Sequence, residues 1–377
     1  MKRLRVLMLT PKTYWVGKRN SDIRTYPLLK NLLEKSHALE MNISESLLLT
    51  LQANASYAAA AALWRTQLPK SVDAFASLWH LTRRACWLPK GVIRQHQPDV
   101  AYTVLLYPMN RIPIPLVLDF DFNPWGIPTM RAEVDRLRYI PRWMLERAAV
   151  IVVRHEVSLE ALKERFPDQA QKGIVVPTPL PGLEALEDER VRAKFHAFGA
   201  PSIKVVFVGN QAVVKGMPEL IQACQTLKPR YPVDLTVVSR FVDGTVEVPP
   251  GVRVLSDLPS AEVYRLMAES HIFVMPTKRD SHGRVFWEAM ANGCAIVAPC
   301  FTPHQELFAE FGATADPRSP EAIAGALESL ISNPGVCLER ALHARKTFLK
   351  KYHYSVAADG YREAFQRAAT SPYTVSV

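Results

Sequence analysis

Short apolar runs recur along the chain with longer amphipathic stretches between them. The runs at residues 5–10, 100–106, 115–120, 149–153 and 174–176 are too short for helices and too continuously apolar for a half-exposed sheet. They read as strands of a parallel sheet covered on both faces. A second series follows at 204–208, 235–239, 252–258, 271–275 and 295–299. Between the runs the spacing predicts helices near 21–36, 157–166, 217–227, 260–268, 284–291 and 320–332, with a last one near 356–368. Repeated strand–helix alternation is the mark of doubly wound α/β layers. The proline-rich segment Pro177-Thr-Pro-Leu-Pro-Gly182 breaks the alternation once. A stiff break of that kind suits a domain boundary. The expected domains are therefore residues 1–182 and 183–351, followed by a terminal helix and tail at 352–377.

The second half contains a strand, a polar loop, a helix and another strand between Met275 and Pro299. In such a unit ligands bind beyond the carboxyl ends of the strands, where the loop meets the helix N-terminus. Asp280 lies in the loop, and Glu288 lies eight residues later in a helix that is otherwise almost wholly apolar. A carboxylate in that setting is costly without a partner. Glu288 thus reads either as a charge favouring the start of its helix or as an acceptor for ligand hydroxyls. In the second reading Gly283 and the helix start receive an anion.

The order acid, two residues, Gly, four residues, Glu-Ala-Met-Ala-x-Gly resembles the E-x7-E signature of GT4 glycosyltransferases, which have the GT-B fold. The resemblance runs from about residue 204 to 330, with Asp280 in place of the first glutamate. It implies two Rossmann-like domains facing a central cleft, with the last helix crossing back to the first domain. It also implies roles for particular residues. Glu288 would hold the ribose hydroxyls of a nucleotide-sugar donor, and Asp280 would bind hydroxyls of the transferred sugar. His282 falls in the same loop, and the Gly283 and Arg284 amides would add to a diphosphate site. The segment Gly209-Asn210-Gln-Ala-Val-Val-Lys215-Gly216 resembles the family's "GR…KG" run. Lys215 and Gly216 match it, while Asn210 stands where an arginine is expected. Arg240, after the run at 235–239, is a candidate for the missing charge. Leu258 lies in the turn whose backbone would meet the nucleotide base.

The first half is less explicit. Asp119-Phe120-Asp121 ends an apolar run and is literally a D-x-D. That motif holds a metal in GT-A enzymes, but the surrounding strand–helix alternation argues against GT-A. By the resemblance, Phe120 occupies a position at which many GT4 members carry histidine. Asp121 or Asp119 is then the candidate acceptor-side base, the alternative being an aspartate that caps the following turn. Residues 47–64 and 131–147 look helical. Residues 71–90 suit an amphipathic helix with basic neighbours. Such a helix either rests on an anionic membrane surface or packs on the sheet with its basic face in water.

The formal charge of +10 favours a partner of negative sign, or serves solubility alone. Five cysteines without a CxxC spacing suit reduced thiols in a cytosolic protein. No apolar run approaches the ~20 residues that span a bilayer. The resemblance implies retention of configuration, no cofactor and no metal requirement. Six of the seven tryptophans precede residue 150, which favours that half for a glycan or lipid-linked acceptor. The expectation is a cytoplasmic glycosyltransferase of surface-polysaccharide assembly, with peripheral membrane contact as a further possibility. The rivals are an inactive or weak relative that binds nucleotide as a partner subunit, a nucleotide-sugar epimerase, and a nucleic-acid-binding protein suggested by charge alone. No nucleic-acid-reading motif supports the last.

Overall fold

The computed structural model describes residues 4–11, 39–46, 85–86, 90–104, 107–108, 112–120, 142–180, 182–240, 246–280 and 283–372. They divide into two compact units. Gly182–His353 lies in one unit, and most of the earlier chain, together with Tyr354–Val377, makes up the other. The divisions fall at 181/182 and 353/354, against 182/183 and 351/352 expected from sequence.

In the first unit the chain order is β1 (Leu4–Pro11), β2 (Leu39–Ser46), β3 (Ala85–Cys86), α1 (Lys90–His96), β4 (Val100–Val104), β5 (Tyr107–Pro108) and β6 (Leu116–Asp119). Then follow α2 (Arg142–Arg147), β7 (Val150–Val153), α3 (Glu156–Arg165) and β8 (Gly173–Val175). Six of these strands form one sheet in the order β2-β1-β4-β6-β7-β8. All its pairings are parallel, with Val6 beside Val100 and Ala101 beside Leu116. Side-chain alternation sends Val6, Met8, Tyr102, Val117 and Val152 to one face. On that face they meet Ala357, Tyr361, Ala364 and Phe365 of the last helix, Tyr354–Thr370. On the other face Leu118, Ile151 and Val153 pack on Met144, Leu145 and Leu162, while Leu7 and Ala101 pack on Ile93 and Ile112.

The second unit continues with α4 (Asp188–His196), β9 (Ile203–Val208), α5 (Met217–Leu227), β10 (Val233–Val238), β11 (Val252–Leu255), α6 (Ser260–Glu269) and β12 (Ile272–Val274). After these come α7 (Arg284–Ala291), β13 (Ala295–Pro299), α8 (His304–Phe308), β14 (Gly312–Ala315), α9 (Pro320–Ile331) and α10 (Pro334–Thr347). The C-terminal helix of the first unit is α11 (Tyr354–Thr370). The second sheet is also parallel, in the order β11-β10-β9-β12-β13-β14. The chain leaves β9 in one direction and returns on its other side, so β9 and β12 flank the point where strand order reverses. Such a switch point opens a crevice at the carboxyl ends of the strands. Buried aromatics fix α7 over this sheet. Phe286 lies edge-on to Phe273 at 5.3 Å and stacks on Phe308 at 4.4 Å.

The strands and helices expected in the second half are present within a few residues. The helices at 21–36 and 47–64 and most of 131–147 lie outside the described residues. A single helix over 71–90 is corrected. Ala85–Cys86 is a strand paired with Tyr107–Pro108, and α1 begins only at Lys90. Pro89 interrupts the helical pattern at this point. Among the described residues no helix is long and apolar enough to cross a membrane.

Candidate functional site

The switch point of the second sheet brings two loops together. One follows β9 and carries Asn210, Lys215 and Gly216; the other follows β12 and carries Asp280. Lys278 N–H donates to the Val214 carbonyl at 2.8 Å, joining them. Gly216 lets them approach. Its φ is +82°, and a Cβ there would lie 2.0 Å from the Pro276 carbonyl oxygen. A side chain has neither the conformation nor the room at that position. Lys278 also pairs with Glu219 of α5 at 2.6 Å, which ties the loop to a helix.

This docking places the Lys215 ammonium against the Asp280 carboxylate as a largely buried ion pair through Oδ2. The other oxygen, Oδ1, accepts the Gly283 N–H at 3.1 Å. Asp280 therefore holds the amide of Gly283, the residue that precedes α7, while it holds Lys215. Gly283 is left-handed at φ +55°, and a Cβ there would meet the Phe286 ring at 2.8 Å. That constraint explains glycine at the turn into a helix whose first aromatic is buried.

Glu288 lies one turn after Arg284, on the same face of α7. It lines a cleft of about 160 Å³ together with Asn210, Arg240, Asp257, Leu258, Ser260, Val263 and Tyr264. Burial pushes the Glu288 carboxyl above the usual carboxylate range, against the opposing pull of Arg284. Burial, and then the Glu288 charge, push the Tyr264 hydroxyl up to about 12. Arg240 Nε reaches Asp257 Oδ1 at 2.8 Å on the rim. The cleft thus sets a desolvated carboxylate and a phenol beside a charged rim. A carboxylate so placed gains from neighbouring hydroxyl donors, which favour its charged form.

The sequence-expected residues Asn210, Arg240, Leu258 and Glu288 gather round the cleft. Lys215, Gly216, Asp280 and Gly283 gather at the start of α7. Sequence reasoning missed Ser260, Val263 and Tyr264. Their spacing puts all three on one face of α6. That pattern was the available signal.

Asp119 is corrected. It is fully buried in the first unit, where Oδ1 pairs with Arg154 Nη2 at 2.8 Å. Its Oδ2 accepts the hydroxyls of Tyr102 and Tyr361, each at 2.7 Å. Arg154 Nη1 donates to the Tyr361 oxygen at 2.9 Å and to the Val176 carbonyl at 3.2 Å. A carboxylate enclosed by three donors and a core is a structural anchor for α11, not a base open to an acceptor. Its neighbour Phe120 is buried with Met144 and Leu145 on the opposite face of the sheet. Asp121 and His282 lie outside the described residues.

Two parallel α/β sheets, each with a reversal of strand order, and a last helix returning to the first unit define the GT-B fold. Solved structures match it along nearly the whole chain. Sucrose-phosphate synthase from Thermosynechococcus elongatus aligns with a TM-score of 0.66 at 14% identity, covering 97% of this chain and 99% of that one. Anabaena Alr3699/HepE in complex with UDP and glucose aligns at 0.59 and 15%, covering 97% and 100%. Residues 202–333 match the family Glycosyl transferases group 1. Over residues 202–333 the second unit is thus similar to the group 1 glycosyltransferases. A D-inositol 3-phosphate glycosyltransferase from Corynebacterium urealyticum is 26% identical over 264 residues, which is 64% of this chain. The match covers 62% of that relative's length.

Proposed function

We propose that the chain is a glycosyltransferase that takes a sugar from a nucleotide-diphosphate donor held by the second unit. The observation that carries this reading is the position of Glu288 in the cleft beside the switch point, one helical turn from the start of α7. Glu288 accepts the two ribose hydroxyls, whose protons compensate the burial of its charge. Leu258 and the turn around it meet the base. The diphosphate lies at the start of α7, near the Arg284 amide and Lys215. Fixed donors there stabilise the charge that grows on the leaving diphosphate as the glycosidic bond breaks. Lys215 and the helix start balance that charge without a metal.

Among the described residues no side chain at this site is placed as a nucleophile toward a sugar. Transfer with retention, by same-face displacement assisted by the leaving phosphate, fits it better than a covalent glycosyl-enzyme. The first unit serves the acceptor, with Asp121 as the candidate base now that Asp119 is enclosed. A glycan on a lipid carrier, in surface-polysaccharide assembly at the cytoplasmic membrane face, is the acceptor class this reading favours. The UDP and glucose in the HepE complex support a nucleotide-sugar donor at this fold.

The test is consumption of UDP-, GDP- and TDP-sugars with EDTA present, with and without lipid-linked glycan acceptors. Release of nucleoside diphosphate that rises with one acceptor supports transfer. Conversion of the donor to an isomer, with no acceptor needed, would replace transfer by epimerisation. No turnover with any donor, alongside intact nucleotide binding, would leave a binding subunit.

A further inference from the structure

Lys215 and Asp280 have so far been treated as separate ligands, one for diphosphate and one for sugar. Their geometry assigns them a joint task. Both oxygens of Asp280 are engaged within the second unit, Oδ2 by Lys215 and Oδ1 by the Gly283 N–H. Both side chains are mostly out of water, at 19% and 14% exposure. The pair is held from two sides. Gly216 lets the Lys215 loop close onto Pro276, and the Gly283 N–H fixes Asp280 just before α7. A diphosphate arriving at the α7 start meets a lysine whose charge is already balanced by a fixed carboxylate.

We propose that Asp280 is a positioning residue that acts as the resident counter-ion of Lys215, and that the donor diphosphate displaces it from that lysine. This rests on the donor-site reading above and deepens it. In the empty site Asp280 keeps the ammonium oriented toward the helix start and stabilises its charge. In the occupied site the carboxylate stays on Gly283, because that hydrogen bond does not depend on Lys215. The consequence is a site that holds free nucleoside diphosphate weakly for its number of donors, which favours release of that product.

The assay is calorimetric binding of UDP and GDP, with uridine and guanosine as controls, to the full chain and four variants. Asp280→Asn keeps an oxygen for the Gly283 N–H and removes the charge. It should bind the preferred diphosphate about tenfold tighter, the order expected when Lys215 no longer has to exchange a paired carboxylate for the diphosphate at intermediate dielectric. Its affinity for the matching nucleoside should not change. Lys215→Ala should weaken diphosphate binding, and the gain from Asp280→Asn should vanish in Lys215→Ala/Asp280→Asn. A purely structural cap would not give that coupling. Equal or weaker diphosphate binding by Asp280→Asn, with Lys215→Ala still impaired, would overturn the counter-ion role and leave the donor site standing. The fourth variant, Glu288→Ala, separates the two failures. If neither it nor Lys215→Ala alters binding, the donor-site reading and this inference fall together.

Discussion

Replacing Asp119 separates a structural carboxylate from a catalytic one. Its charge and that of Arg154 are 0% and 1% exposed, and two tyrosine hydroxyls share its second oxygen. Asp119→Asn preserves the shape and leaves the Arg154 guanidinium without its charge partner in the core. Breaking a buried pair from one side costs about 3–5 kcal/mol. At roughly 2–4 °C per kcal/mol for a unit of this size, the unfolding transition of the first unit should fall by roughly 10 °C. Differential scanning calorimetry on the full chain reads this directly. The double change Asp119→Leu/Arg154→Met removes both charges, and isolated replacement of buried pairs by apolar groups is often near neutral. It should recover at least half of the loss. If Asp119→Asn melts with the wild type while donor turnover collapses, the reasoning is refuted and Asp119 belongs to the chemistry.

Two further outcomes follow from the second unit. Gly216→Ala must adopt a left-handed φ, which costs about 1–2 kcal/mol, and push its Cβ away from the Pro276 carbonyl. We expect a loss of about 3 kcal/mol in urea unfolding, together with weakened diphosphate binding, because the Lys215 loop moves. Unchanged stability would show that the loops are not held as described. His271 is buried, accepts the Lys204 N–H at 3.0 Å through Nδ1, and lies 3.0 Å from the Lys194 carbonyl through Nε2. Burial lowers its pKa from 6.5 to about 4, the neighbouring Lys194 and Lys204 charges adding to that and the Lys194 carbonyl opposing it. The unfolded chain therefore binds this proton first as pH falls. Stability is complete above pH 6.5 and falls by on the order of 3 kcal/mol on acidification to about 4. Urea titrations at pH 7, 5.5 and 4.5 should show that slope in the wild type and a shallower one in His271→Gln. Equal slopes would remove His271 as the cause.

The second unit was the more legible half because local and global signals agree there. Phe286, Trp287, Ala289 and Met290 are buried at helical spacing between two fully buried strands, so α7 was readable to its ends. The pair of carboxylates was visible as a spacing, but the Lys215–Asp280 contact was not. It depends on two loops 65 residues apart meeting at a glycine. The edge strand β2 was overlooked although Leu39, Met41 and Ile43 alternate with polar residues. Only its pairing with β1 shows that the alternation belongs to a sheet. Helices α4 and α10 were also overlooked. The polar Asp188–His196 turns few residues inward, Val191 and Phe195 among them. Asp119 misled for a related reason. A D-x-D at a strand end suggests chemistry, and the partner that encloses it, Tyr361, lies 242 residues away.

The central claim is that a nucleoside diphosphate binds the second unit with its ribose on Glu288. Calorimetric titration of UDP, GDP, TDP and ADP, without metal, into the wild type and Glu288→Ala tests it most directly. We expect selective binding of one nucleotide by the wild type, weakened at least tenfold in the variant, in line with the loss of a charged acceptor worth about 1.5–3 kcal/mol. Equal binding by Glu288→Ala, or no binding of any of the four by the wild type, would contradict it.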